Sequence, residues 1–308
     1  MTLILATCTA KKRPGPQPEL QAAALPTGDL SSVVTEWARR VRNAEGRVLA
    51  GSLYVGHGWR HARAAAQISG ADLAVISAGL GVVRAETPVP SYGMTIVDAA
   101  DDVRRRIEGS ITPTDWWRAL SAERLAGPTL GELLDGESGL VLVAMPETYL
   151  AMVGEELAAS RPVREGRLRI FTGVRIDAVR SDLTKAVMPY DGRLDDPALG
   201  LGGTSDSFAA RALRHFVEVF GISASDLATD KQLVLTTLEA RTAPERAVRA
   251  RRTDAEITSL LREHWHKGRG APSRLLRILR DDLGVACEQS RITRLVDDLR
   301  AEGAVDVV

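Results

Sequence analysis

Leu3-Ile4-Leu5-Ala6-Thr7 runs directly into Cys8-Thr9-Ala10-Lys11-Lys12-Arg13. Farther along, the apolar run Leu73 to Ile76 leads into Ser77-Ala78-Gly79-Leu80-Gly81, followed by Pro88-Val89-Pro90-Ser91-Tyr92. Each run reads as a buried strand whose carboxyl end delivers small, hydroxylated or cationic residues into a loop. In open α/β sheets, ligands bind just outside the carboxyl ends of the strands. Two such ends, one carrying Lys11 and Lys12, describe a pocket for an anion, with phosphate the leading candidate.

Outward from these runs the elements alternate. Strands are expected at 2–7, 47–51, 72–77 and 139–144, with a further β-containing stretch at 167–190. Helices are expected from a cap at Ser31 or Ser32, from Trp59 to Ser69, and over 98–109, 114–125, 147–160, 205–219 and 224–240. The strands are apolar on both faces, which suits a sheet covered by helices on each side. The fold class is therefore α/β, a three-layer α/β/α domain over residues 1–240. The stretch 241–252 breaks the pattern and reads as a basic linker. Beyond it, 253–308 carries three helical segments: Thr253 to His266 with Glu256 at the capping-box position, 271–283, and 288–302. These fit a helix-turn-helix-type nucleic-acid-binding module, or equally a plain interaction bundle.

The chain has 308 residues, 44% hydrophobic and 26% charged, the composition of an ordinary globular protein. No run approaches the roughly 18 apolar residues that span a bilayer, and the N-terminal apolar stretch is too short for a signal peptide. The two cysteines, Cys8 and Cys287, are far apart. They favour a reducing cytoplasm over a disulfide framework or a paired-cysteine zinc site. Net charge is zero, but ten basic residues stand against three acidic ones between Arg246 and Arg280. Such a patch attracts phosphate backbones, and it also describes a solvated helical face. Within it, Arg269, Arg274, Arg277 and Arg280 are the candidate DNA contacts.

Several residues in the first 240 carry possible chemistry. Cations beside Cys8 favour its thiolate, although a small buried residue closing a turn is the simpler reading. Lys11 and Lys12 suit phosphate. Ser77 and Gly79 belong to a glycine-containing loop whose amides can approach an anion, but it is neither a Walker nor a G-x-G-x-x-G motif. Glu86 and Tyr92 frame a proline-rich loop and suit hydrogen bonding to, and stacking on, a nucleobase. Asp191 and Arg193 lie in Met188-Pro189-Tyr190-Asp191-Gly192-Arg193-Leu194, where Asp191 suits transition-state stabilisation and Arg193 suits phosphate; Asp-Gly is also an ordinary turn signal. His57 and His61 have helical spacing but no third ligand, so no metal is expected.

Three segments in order, Cys8-Thr9-Ala10-Lys11-Lys12, Leu53-Tyr54-Val55-Gly56-His57-Gly58-Trp59-Arg60-His61-Ala62-Arg63, and Val75 to Gly81 through Pro88 to Tyr92, resemble a bacterial and phage family of domains with an N-terminal Cys-Ser/Thr-x-Lys-Lys motif. That family is similar to the uracil-DNA-glycosylase-like domain of archaeosine synthase and to the Brig-type antiphage DNA glycosylases. The resemblance spans roughly residues 1–100 and, less closely, the Tyr190 to Arg193 turn. It implies a three-layer fold that acts on a nucleoside in nucleic acid without metal or nucleotide cofactor, in the setting of antiviral defence. The chain departs from the family at Ala10 and at Gly79-Leu80, where polar residues are common, and it lacks the aspartate–proline and histidine motifs of ordinary uracil-DNA glycosylases. The expected activity is cleavage of the N-glycosidic bond of a modified base in DNA, with Asp191 or Glu86 as the catalytic carboxylate. The alternatives are a non-catalytic nucleic-acid-binding regulator or sensor, and a base-exchange enzyme acting on tRNA or deazaguanine nucleosides.

Overall fold

The computed structural model describes residues 1–97, 99–222, 226–245 and 249–303. They divide into two units, Met1–Pro244 and Glu245–Val308.

In the first unit the strands are β1 (Leu3–Thr7), β2 (Val48–Leu49), β3 (Asp72–Ser77), β4 (Gly81–Arg84), β5 (Pro88–Val89), β6 (Val141–Ala144) and β7 (Leu168–Phe171). The helices are α1 (Leu30–Asn43), α2 (Ala50–Leu53), α3 (His57–Ser69), α4 (Pro113–Ala122), α5 (Leu130–Gly136), α6 (Glu147–Ala159), α7 (Arg161–Arg164), α8 (Phe208–Phe220) and α9 (Leu227–Glu239). Five strands form one sheet in the order β4-β3-β1-β6-β7, all parallel except β4, while β2 and β5 make a separate antiparallel ribbon. The parallel strands are buried on both faces because their side chains are almost all Leu, Ile, Val and Ala. α3 packs on α8, and both lie against the sheet, whereas α1, α4, α5 and α6 pack together as a second helical group.

The register aligns the carboxyl ends. Thr7 stands opposite Ile76, Ala6 opposite Ala144, and Ala144 opposite Phe171. The chain leaves β1 toward β3 on one side and leaves β6 toward β7 on the other. The boundary between β1 and β6 is thus the topological switch point, where open α/β sheets form their crevice.

Several expectations are corrected. Asp29, not Ser31 or Ser32, caps α1: its backbone is extended and its carboxylate accepts from the Ser32 amide and hydroxyl, while both serines are already helical. The helix expected over 98–109 is only a 3-10 turn at Val103–Arg106, because Asp102 captures the Arg104 amide and guanidinium; Asp98 lies outside the described residues. α9 begins at Leu227 behind an Asp226 cap, and positions 224 and 225 of that expected helix also lie outside them. The segment 205–219 opens with a 3-10 turn before α8. β4 and α5 were not expected. At the sheet edge, α9 is pinned by a buried ion pair between Arg169 of β7 and Asp230, 2.6 Å apart.

The second unit holds β8 (Ala250–Arg251), α10 (Asp254–Glu263), α11 (Trp265–Gly268), α12 (Pro272–Arg277) continuing as a π-helical turn to Asp282, β9 (Val285–Ala286) and α13 (Gln289–Ala301). Its core is Ile257, Leu261, Trp265, Leu275, Leu276, Leu279, Val285, Ile292, Leu295, Val296 and Leu299. The linker boundary is corrected at both ends. The amide of Thr242 donates to Asp196, so the first unit extends to Pro244, and β8 pairs with β9 as part of the second.

Candidate active site at the strand ends

β1 and β3 bring Cys8 and Ser77 side by side, since the Cys8 amide donates to the Ile76 carbonyl. The chain then turns back so that Lys12 forms an antiparallel bridge with Tyr54, fixed by Arg13 N to Leu53 O at 2.9 Å. The Lys12 ammonium donates to the Thr9 carbonyl at 2.9 Å and sits 4.2 Å from the centre of the Tyr92 ring and 5.9 Å from that of Tyr54. Across the switch point, the Tyr149 hydroxyl of α6 lies 3.0 Å from the Cys8 sulfur. Cys8, Lys12, Tyr54, Ser77, Tyr92 and Tyr149 thus form one polar cluster inside a hydrophobic sheet end, and all six are buried.

The hydroxyls form a directed chain. Ser77 Oγ accepts from the amides of Gly79 and Leu80, which fills both its lone pairs, so its own proton must go to the Tyr92 hydroxyl beside it. Tyr92 in turn lies 3.0 Å from the Tyr54 hydroxyl. Burial raises the pKa of Tyr54, Tyr92 and Tyr149, and the neighbouring Cys8 charge adds to the rise. Burial lowers the pKa of Lys12 against the opposing pull of Cys8 and Asp101. The Asp101 carboxylate lies against Gly93, the residue after Tyr92: a Cβ on that glycine would stand 3.1 Å from Asp101 Oδ2. Asp101 is half-buried and accepts no hydrogen bond through its side chain among the described residues.

The glycine loop is corrected in its role. Its amides at Gly79 and Leu80 are spent on Ser77, and the carbonyls of Ala78 and Gly79 accept from the indoles of Trp116 and Trp37 at 2.8 and 2.6 Å. Gly79 is needed for the tyrosine instead, because a Cβ there would fall 2.5 Å from the Tyr92 ring. Tyr92 itself is fully buried with Lys12 over its ring, so it has no free face on which a base could stack. Lys11 is exposed, and its carbonyl accepts from the Val55 amide and the Thr9 hydroxyl.

The two expected catalytic carboxylates are elsewhere. Glu86 follows β4, which runs back along β3, so it is exposed at the opposite end of the sheet from Ser77. Asp191 forms a forked pair with Arg193, which also reaches the Leu238 carbonyl of α9, beyond the β7 edge. The arginine fork holds the Asp191 carboxyl below its ordinary pKa. His57 is exposed against Arg60, and His61 meets Arg214 instead of its partner histidine. Of the four expected DNA contacts, Arg269, Arg274 and Arg277 are exposed on and before α12, and Arg280 turns into a separate groove.

Sequence reading missed Tyr149 and Asp101 as site residues and left Tyr54 without a role. Tyr149 had a signal, since the strand-end rule applied to 139–144 leads directly to Met145-Pro146-Glu147-Thr148-Tyr149. Asp101 had none, because a loop brings it against Gly93, the residue after Tyr92. Among known proteins, no family model, no curated protein and no solved structure matches the chain.

Proposed function

We propose that the α/β unit is a DNA glycosylase of the uracil-DNA-glycosylase-like, three-layer type, and that its reaction centre lies at the carboxyl ends of β1, β3 and β6. The observation that carries this reading is the buried Lys12 ammonium over the Tyr92 ring, with Asp101 against the neighbouring Gly93 and the Cys8–Tyr149 pair at the adjoining strand ends. A buried cation and an unpaired, half-buried carboxylate are the complement of an N-glycosyl cleavage, in which the sugar becomes cationic and the leaving base anionic. Asp101 takes the role first considered for Glu86 and Asp191. A water oxygen bonds to the sugar C1′ while its proton passes to Asp101. The electron pair of the C1′–N bond leaves with the base, which takes a proton from Lys12, made more acidic by burial. The base must be extruded from its stack to reach this point.

A second reading is favoured by one observation: the tyrosine hydroxyls and rings already satisfy one another. A closed cluster of this kind also suits a nucleic-acid-binding sensor without catalysis. The deciding assay incubates the protein with DNA carrying uracil, deazaguanine or glucosylated hydroxymethylcytosine and measures abasic sites. Release that falls at least about a hundredfold in Asp101→Asn, but not in Glu86→Gln or Asp191→Asn, supports the reading. Release that requires an added free base assigns base exchange instead, and no release across the panel leaves the sensor.

A further inference from the structure

A concave surface of the second unit has a volume of about 800 Å³ and is lined by Arg249, Arg251, Arg252, Arg280, Arg291 and Glu288, with only Ala286 and Cys287 apolar. Five arginines and a single acidic residue line it. How they are held decides what the groove can do. Arg280 donates twice to the Cys287 carbonyl, at 3.0 and 2.6 Å. Arg249 donates to the Arg280 carbonyl at 3.0 Å, and Arg291 to the Arg252 carbonyl at 2.9 Å. Three arginines are therefore anchored by backbone carbonyls of other groove residues. A carbonyl fixes the guanidinium plane without cancelling its charge, so the fork is set before any ligand arrives.

Carboxylates reach part of the set. Arg249 meets Asp281 at 3.3 Å, Arg252 meets Glu256 at 2.9 Å, and Arg291 meets Asp254. These pairs are on the surface, where each holds its partner weakly and can be exchanged for a stronger anion. Arg280 has no carboxylate partner among the described residues, and the Arg251 side chain has no hydrogen-bond or ion partner there.

We infer that this groove is a phosphodiester site that grips the backbone of duplex DNA. Arginine forks match phosphate oxygens in pairs, and Arg249, Arg251 and Arg252 extend the charge along the chain entering and forming β8. With only the small Ala286 and Cys287 as apolar residues in its lining, the groove has no aromatic or large aliphatic pocket for the side-chain anchors that an acidic peptide would bury. Backbone binding needs only placed charge. The site differs from the face expected from sequence, since Arg274 and Arg277 lie outside it. It rests on the reading that nucleic acid is the substrate, but it is separable from catalysis.

The test measures binding of full-length protein to a fluorescein-labelled random-sequence duplex by anisotropy over a range of salt. Arg251→Ala with Arg280→Ala should weaken binding at least tenfold at low salt. It should also make the slope of log affinity against log salt shallower by about 1.8, since each lost phosphate contact removes about 0.9. Arg274→Glu with Arg277→Glu should change affinity less than threefold. Should the Arg280 variant fold poorly, Arg251→Ala alone, which loses no internal bond, should still reduce the slope by about 0.9. Unchanged affinity and slope in the folded groove variants would overturn the site, as would displacement of the duplex by poly-glutamate as readily as by unlabelled duplex. No base release by the parent protein, with duplex binding and its dependence on Arg251 and Arg280 intact, counts against the glycosylase reading alone. Binding lost in the α12 variants but not in the groove variants counts against the groove alone.

Discussion

The two polar regions of this protein are built on opposite terms. At the strand ends, three tyrosines, a serine, a cysteine and a lysine are withdrawn from water: the hydroxyls and the thiol bond one another, while Lys12 donates to the Thr9 carbonyl and Ser77 accepts from two amides. In the groove, arginines remain open to solvent and are steadied by neutral carbonyls. The first arrangement shifts pKa values and depends on tight packing; the second stores charge at little cost to the fold. A buried polar group that loses its partner is expensive, whereas an exposed charge is nearly free to change. Mutations should therefore divide the regions sharply, stability responding at the cluster and binding at the groove.

The largest stability loss should come from Gly79→Ala. The added Cβ would overlap the Tyr92 ring, and overpacking of a filled site costs about 3 kcal/mol; urea unfolding measures it, and a loss under about 1 kcal/mol would mean the ring has room to move. The next effect is in alkaline solution. Tyr54, Tyr92 and Tyr149 have folded pKa values raised by burial, so their stabilisation is complete below about pH 10 and is lost as pH climbs from there toward the folded values. Each tyrosine should contribute a fall of about 1.4 kcal/mol per pH unit in that range. Tyr92→Phe should remove one such share from the slope, measured by urea titrations at successive pH values, and an unchanged slope would show that the ring ionises freely in the fold. The smallest effect should be Arg251→Ala, whose unfolding free energy should stay within about 0.5 kcal/mol of the parent while its DNA affinity drops.

The same contrast explains what could be read from sequence. The parallel strands announce themselves as unbroken apolar runs, and Cys8, Lys12, Ser77 and Tyr92 follow from asking what stands at their ends. Their proximity was legible, as was the burial of Cys8; the burial of Lys12, Ser77 and Tyr92 was not. Whether Gly79 serves an anion or an aromatic ring depends on Tyr92 folding back over it, a contact between segments that no local pattern encodes. Charge density gave the basic region of the second unit, but not the choice of Arg249, Arg251, Arg252 and Arg291 over Arg274 and Arg277. That choice is made by the β8–β9 pairing, which involves only two residues on each strand. Glu86 and Asp191 fell away for a related reason: a hairpin carries one to the far end of the sheet, and a local arginine fork captures the other.

Whether Asp101 and Lys12 form a reaction centre is tested most directly by counting abasic sites in modified-base DNA treated with the parent protein and with Asp101→Asn. Base release by the parent, reduced at least about a hundredfold in the variant while duplex binding is unchanged, is the expected result. Equal release by both proteins would contradict the assignment of Asp101, and none by the parent across the panel would contradict the glycosylase reading itself.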